Sequence, residues 1–478
     1  MGLWIPLRTA LWGRPAESKV EQRLIVKIDA FILSFGCLMY WVNYLDRSNL
    51  NNAYTSGMKE DLKMYGNELN VINTIFYAGY FTGQIPNNMA IQKIPPRLYF
   101  PVVTVAWGIL CMSMAFCHHA WQIMIIRFFQ AVLEASTFPG IHYILGAWYK
   151  AEELGKRTAI FTSSGIAGTM FSGFLQGGIY DTLNGRNGLS GWRWLFIIDF
   201  LITLPIAIYG YLIFPDTPST TTVKYLTAEE RRVAIGRIPQ AEKQRGELGW
   251  GLLKRVFGTW HIYAMVAIWT FASNTEMFST NAVMNVWLKG LGRYSVSEVS
   301  YIPTGVSAVG IFMTLALGWY SDITRQRWHV GIILSATALI SGALMLKPPN
   351  DGAKFFALFL NGSQYASQTV MFAWANDLLR NDDAKRSFIL AAMNTVAIAV
   401  YMFWSLLFYS VTQAPDWFDG SIAMIAMAVA LLVCTLIVHY VEKRAEKKQE
   451  GEVLEGLEET GEVVHEGHGL NEKGYQAQ

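Results

Sequence analysis

The sequence predicts an all-α membrane protein: twelve transmembrane helices in two halves of six, with both termini in the cytosol. Three observations predict it. Of 478 residues, 52% are hydrophobic and only 15% charged, where a soluble chain carries about 25% charged residues. Apolar runs long enough to cross a bilayer as helices recur at 28–46, 70–91, 98–117, 121–149, 157–180, 193–214, 260–285, 300–320, 329–347, 354–377, 387–409 and 420–440. Finally, 28 of the Lys and Arg residues fall in the segments that this reading puts inside and 9 in those it puts outside. Cationic loops stay on the cytosolic side.

Residues 1–27 are mixed and charged, unlike a cleavable signal peptide, and form an N-terminal tail before the first span. The second, fifth, eighth and tenth runs are the least apolar. The fifth carries Gly165, Gly168, Gly173 and Gly177, and small residues mark close helix packing in lipid, so it is read as an inner helix. One long cytosolic connection, residues 216–259, separates a first half (28–215) from a second (260–441). Within it Thr227 and Glu230 stand in capping-box spacing and predict a short surface helix. From Glu442 the chain turns to Glu, Lys and Gly, which predicts a disordered cytosolic tail to residue 478. The 17 Trp and 22 Tyr suit aromatic belts at two membrane interfaces.

Several function classes drop out. A net charge of +2 without basic blocks beyond the membrane flanks gives no reason to expect nucleic acid. Cys37, Cys111, Cys117 and Cys434 lie in apolar runs, unlike metal ligands or a disulfide scaffold. There is no phosphate-cradling Gly-x-x-x-x-Gly-Lys-Ser/Thr loop. No nucleophile–base or metal-ligand set appears in the spans, so the chain is read as a non-enzyme with no cofactor and no metal.

The fourth run carries charge where charge is costly. Arg127, Gln130 and Glu134 fall within about 60° of one another on an ideal helix. Each charge at mid-bilayer costs roughly 2.5–3.5 kcal/mol on insertion scales. Two readings explain them: a buried ion pair that locks helices, or a substrate and proton pathway. Arg47, near the end of the first run, is a candidate for holding a carboxylate, because its planar fork can grip both oxygens. The alternative is an internal pair with Asp46. His142 is a candidate relay or a hydrogen-bonded interior residue, with Pro139 as a possible kink. Glu276 lies in the seventh run with Asn274 and Asn281, a set suited either to substrate contact or to inter-helix hydrogen bonding. In the tenth, Asn361, Gln364 and Gln368 form an inward stripe beside Tyr365. Asp199 stands alone in the sixth, with no partner visible from the sequence.

The motifs resemble those of the major facilitator superfamily. Gly318, Asp322, Arg325 and Arg327 follow its Gly-x-x-x-Asp loop pattern with trailing basic residues, and imply a charge clamp for gating. The corresponding first-half loop keeps Gly83 and Arg97 but lacks the Asp, so its clamp must be built differently. Arg47-Ser48-Asn49, together with Arg127, Gln130, Glu134, Thr137, Phe138, Pro139 and His142, is similar to the anion:cation symporter family. Tyr44-Leu45-Asp46-Arg47-Ser48-Asn49, Gly191-Trp192-Arg193-Trp194 and Phe214-Pro215-Asp216-Thr217-Pro218 narrow this to the fungal allantoate permease group. Asn49-Leu50-Asn51-Asn52-Ala53-Tyr54 and Phe161-Thr162-Ser163-Ser164-Gly165 are most similar to its pantothenate members.

The resemblance implies two pseudo-symmetric six-helix halves and a proton-coupled secondary transporter, monomeric, in the plasma membrane. Its cargo would be a small organic anion, pantothenate foremost, with allantoate, nicotinate or biotin as alternatives. It implies anion binding by Arg47; Asn49 beside it, and Asn274, Asn281, Asn361, Gln364 and Gln368 from the polar stripes read above, are further candidates. Proton coupling would fall to Glu134 with Arg127, and His142 and Glu276 are further candidates. An exporter, or a non-transporting nutrient sensor on the same fold, remains an alternative function.

Overall fold

The computed structural model describes residues 18–237, 250–280, 282–379 and 382–459, and the regular elements among them are all helices. The first run forms earlier than expected. Ser18 caps α1 (Lys19–Ile28) by accepting from the Glu21 amide at 3.1 Å, and one π turn leads into α2 (Ser34–Ala53). There follow α3 (Glu68–Lys93), α4 (Pro96–Ser113), α5 (Ala120–Glu134), α6 (Thr137–Trp148), α7 (Ala151–Leu183) and α8 (Gly191–Ile213). The central connection holds α9 (Ala228–Arg237) and α10 (Trp250–Phe257). Beyond it lie α11 (Trp260–Asn274), α12 (Met277–Thr280), α13 (Val283–Leu291), α14 (Val296–Tyr301), α15 (Thr304–Thr324) and α16 (Arg327–Leu346). The last four are α17 (Asp351–Asn361), α18 (Ala366–Leu378), α19 (Asp383–Phe408) and α20 (Phe418–Glu459).

Among the described residues, seven helical stretches are long and apolar enough to cross a membrane: Lys19–Asp61, Pro96–Phe116, Gly191–Ile213, Val296–Thr324, Arg327–Leu346, Ala384–Gln413 and Phe418–Ala445. The other five predicted runs fall on helices that are more polar, or that break. The fourth breaks at Ala135–Ser136 because Pro139 has no N–H to give the Ala135 carbonyl. The seventh breaks at Thr275–Glu276, and the tenth passes through a 3-10 segment, Gly362–Tyr365. The final helix runs on to Glu459, past Glu442, where the composition predicts disorder. Ala, Glu and Lys are strong helix formers, and here they only extend a helix already nucleated.

Close backbone approach organises the packing. α2 lies along α7, where a Cβ on Gly168 would sit 2.1 Å from the Trp41 carbonyl oxygen. α3 lies along α5, where a Cβ on Gly83 would sit 2.6 Å from the Val132 carbonyl. Small residues at such crossings let helices associate where lipid offers no hydrophobic drive. One core gathers Phe35, Met39, Trp107, Trp148 and Phe161, and another gathers Trp269, Leu334, Met371, Trp374 and Leu431. The two groups of helices meet where α15 packs on α7 and α19 packs on α3.

At one end of the bundle the two groups are stitched together. Asn70 donates to the carbonyls of Tyr409 (2.9 Å) and Ser405 (3.4 Å), Asn285 donates to Asn52 (3.1 Å), and Lys289 pairs with Glu60 (2.7 Å). Ser297 also donates to Asp181. At the opposite end the expected capping box forms. The Glu230 amide donates to Thr227 Oγ1 (3.2 Å) and the Thr227 amide to Glu230 Oε2 (2.8 Å). The Lys27 ammonium binds the same carboxylate at 2.7 Å and so docks α9 on α1. Burial pushes the Glu230 carboxyl up, but its bonds to Lys27 and Thr227 outweigh this and hold it below the usual glutamate range.

Candidate substrate cavity

A cavity of about 230 Å³ lies between the two groups of helices, lined from α2, α3, α5, α7, the broken α11–α12 region, α15, α18 and α19. Its first-group wall presents Arg47. On α2, Tyr44, Ser48 and Asn51 share that face, since positions three and four apart align on a helix. The guanidinium lies within 5.2 Å of the Tyr44 and Phe76 ring centroids and 4.8 Å of that of Tyr80. Such aromatic faces stabilise a cation in a half-dry site.

Arg47 Nε also donates to Glu134 Oε2 at 3.2 Å, across two spans. Glu134 is fully buried, and its other oxygen accepts from Gln130 Nε2 at 2.7 Å. The cation in direct contact with Glu134 is thus Arg47, while Arg127, expected as its modulating partner, makes no hydrogen bond to it. Arg127 turns instead to the Asp46 carbonyl (3.3 Å) and to Gln130 (3.5 Å), with the Phe76 ring 4.4 Å beneath it. Gln130 joins the two charged residues of the stripe.

Asp46 does not pair with Arg47. One residue further on a helix turns about 100°, so it faces away from the cavity. It is fully buried with Cys111 and Asp199, the three offering ligand-type atoms within 4.8 Å of one another. Asp199, for which the sequence shows no partner, accepts from Asn49 Nδ2 (2.7 Å) and Cys111 Sγ (3.1 Å). Asn49 is thereby committed to this cluster, and its Oδ1 accepts from Ser172 (2.6 Å). It does not line the cavity; Asn51 and Asn52 do.

The second-group wall presents Glu276 from the break between α11 and α12, and one of its oxygens accepts from Ser367 Oγ at 2.8 Å. Non-helical backbone at membrane depth is tolerated where it lines a cavity. The predicted stripe in the tenth run splits, because the 3-10 turn advances about 120° per residue instead of 100°. Tyr365 and Gln368 reach the cavity. Asn361 bonds the Thr275 carbonyl (2.9 Å) and Ser279 (2.7 Å), while Gln364 bonds Thr337 (2.8 Å) and Thr275 (2.8 Å). Asn274 bonds the Thr270 carbonyl at 2.7 Å and lies outside the lining. Asn281 is outside the described residues. Tyr77, Tyr401 and Asn394 complete the polar wall and carry no motif that would mark them in the sequence.

His142 is not joined to Glu134. Its Nδ1 lies 2.8 Å from the Phe138 carbonyl, and its ring packs on Phe138 and Phe161. Of the predicted gating residues, Arg327 bonds Asp322 (2.5 Å), Asp377 (3.0 Å) and Ser321 (2.7 Å). Arg325 closes α15 in a left-handed conformation (φ 53°). A Cβ on Gly318 would meet only Thr369, at 3.9 Å, so this glycine is not a tight crossing. The first-half counterpart is built differently. Asn87, which no carboxylate replaces, donates to the Val132 carbonyl (2.5 Å) and accepts from Tyr99 (2.5 Å), and the Arg97 amide meets Asp216 (3.1 Å).

The family profile described as Major Facilitator Superfamily matches residues 36–403. The chain belongs to the Major Facilitator Superfamily. As a superfamily member with this cavity it is a membrane transporter rather than an enzyme. It is 43% identical over 430 residues to the pantothenate transporter liz1 of Schizosaccharomyces pombe, covering 89% of this chain and 84% of that one. It is 42% identical over 448 residues to the pantothenate transporter FEN2 of Saccharomyces cerevisiae, covering 91% and 87%. A bacterial homologue of the human lysosomal transporter Spinster, solved inward-facing and occupied, shares the fold with a TM-score of 0.63. It is 13% identical and is covered over 97% of its length, against 87% of this chain.

Proposed function

We propose that this facilitator imports pantothenate with a proton across a fungal plasma membrane, through twelve spans in two six-helix halves whose termini are both cytosolic. The observation that carries the reading is the Arg47–Glu134 pair at the cavity wall. A carboxylate entering a half-dry cavity needs a cation, and Arg47 is the one most open to it, with its side chain 21% exposed. Glu134 already neutralises that cation. Substrate can take its place only if Glu134 gives up its charge to a proton. Anion and proton therefore bind together, which is coupling in thermodynamic terms.

The cycle follows. From the outside, Glu134 takes a proton and releases Arg47, and the substrate carboxylate occupies the guanidinium fork. The halves then rock about the site, as in related folds built from repeats. The seam of Asn70, Asn285 and Lys289 closes the outer end, and both cargoes leave inward. Similarity to two pantothenate transporters over most of the chain supports the choice of vitamin. Uptake of labelled pantothenate in yeast lacking its own pantothenate carrier tests the reading, with biotin and nicotinate as competitors. Uptake that biotin or nicotinate abolishes and unlabelled pantothenate does not would sink the choice of vitamin.

A further inference from the structure

Two broken spans meet at the second-group wall. The seventh run breaks at Thr275–Glu276, and the tenth passes through its 3-10 segment, Gly362–Tyr365. A break frees backbone groups from their helical partners, and at membrane depth protein must satisfy them. The Ser279 amide, which a straight helix would spend on the Thr275 carbonyl, bonds that of Glu276 at 2.9 Å. The Thr275 carbonyl is met instead from the tenth run. Asn361, the last residue of α17 and fully buried, donates to it from Nδ2 at 2.9 Å, and its Oδ1 accepts from Ser279 Oγ at 2.7 Å. A carbonyl can only accept, which fixes the orientation of this carboxamide. One side chain therefore clips the two sides of the break together.

The clipped segment is part of the cavity wall. Glu276, Phe278, Ser279 and Thr280 all line it, whereas Asn361 does not. On a straight helix Glu276 and Phe278 would stand about 200° apart, so the break is what lets both face the cavity. The segment also stands close to the arginine wall. Asn51, one turn along α2 from Arg47, donates to the Thr280 carbonyl at 3.4 Å. A substrate with its carboxylate on Arg47 meets residues 276–280 with its other end. We infer that Asn361 is a positioning residue of the site: without touching substrate, it holds the broken segment where the far end of the substrate binds. The inference rests on pantothenate being the cargo.

The test uses the purified full chain in detergent and measures binding of labelled pantothenate and its displacement by propionate, which keeps the carboxyl end of the molecule and lacks the rest. In the native protein pantothenate should bind at least about tenfold more tightly than propionate. Asn361→Leu fills the same space without a donor. The broken segment then holds its working arrangement for a smaller fraction of the time, and the apparent affinity of a ligand that needs it falls by that fraction. Pantothenate should lose about tenfold, in line with a buried carbonyl left without its donor, while the inhibition constant of propionate stays within about twofold. Asn361→Val serves if Asn361→Leu does not fold. The inference is overturned if propionate binds the native protein as tightly as pantothenate, if pantothenate affinity is unchanged in a folded variant, or if both ligands weaken together. Failure of the native protein to bind pantothenate at all would instead sink the substrate reading.

Discussion

The Arg47–Glu134 pair sets a stoichiometry that can be measured. Glu134 is wholly buried, and among the described residues its cationic hydrogen-bond partner is Arg47, at 3.2 Å, with Gln130 on its other oxygen. On the proposed cycle, bringing one carboxylate to Arg47 displaces one negative charge, so one proton enters with one anion and the loaded site carries no net extra charge. A membrane potential then does no work on transport, although it would contribute about 2.3 kcal/mol per 100 mV for each uncompensated charge. A pH difference does the work instead. One unit corresponds to about 1.4 kcal/mol and hence to about tenfold accumulation. In proteoliposomes with the outside one unit more acidic, pantothenate should accumulate about tenfold, with or without an imposed potential of about 100 mV. Glu134→Gln keeps the shape and the Gln130 contact but cannot take up a proton in exchange for the anion. It should equilibrate pantothenate without accumulating it, while exchange of internal for external substrate continues. Accumulation that follows the potential, or accumulation that survives Glu134→Gln, would refute the one-for-one exchange.

Three other outcomes follow from the same contacts. Arg47→Ala leaves Glu134 buried and unpaired, which should destabilise the protein by about 3–5 kcal/mol; thermal unfolding in detergent should show that loss, and the double variant Arg47→Ala with Glu134→Ala should recover most of it. Gly168→Ala would drive a Cβ to 2.1 Å from the Trp41 carbonyl oxygen, which cannot step aside; an overpacking cost of roughly 1–3 kcal/mol should lower the unfolding temperature. The Glu230 carboxyl is held below its usual range when α9 is docked, so it stabilises docking above the free glutamate value of about 4.3, and that contribution fades as pH falls through the lower docked value. Protection of the amides over residues 228–237, taken relative to the intrinsic exchange rate at each pH, should therefore be high at neutral pH and fall in acid, and Glu230→Gln should show low protection at both.

The helical framework was legible because a bilayer imposes one length. Each predicted apolar run falls on helical segments, though the first begins nine residues early, at the Ser18 cap, and the last runs on to Glu459. The breaks were harder. Pro139 announces the one in the fourth run through its missing donor, although the break falls on its N-terminal side. Nothing local announces Thr275–Glu276 or the 3-10 turn at Gly362–Tyr365. Those bends move side chains from one face to another, which is why Gln368 lines the cavity while Asn361 and Gln364 hold neighbouring helices together.

The site itself was half legible, and α2 shows where the boundary lay. Resemblance singles out Arg47 and Asn49 as a unit, but helical period separates them by about 200°. Period alone assigns Asn51, one turn from Arg47, to the cavity and Asn49 to the far face, where it bonds Asp199 and Ser172. Pairing across helices was beyond either signal. Arg127 and Glu134 share a helix face, yet the nearer cation to Glu134 comes from another span, because Asp46 and Phe76 draw Arg127 away. The consequence is mechanistic. Were Arg127 the partner, Glu134 could change charge without disturbing Arg47, and proton and anion would bind as neighbours. With Arg47 shared between Glu134 and the substrate carboxylate, as proposed, the anion can take the guanidinium only when Glu134 has taken up a proton.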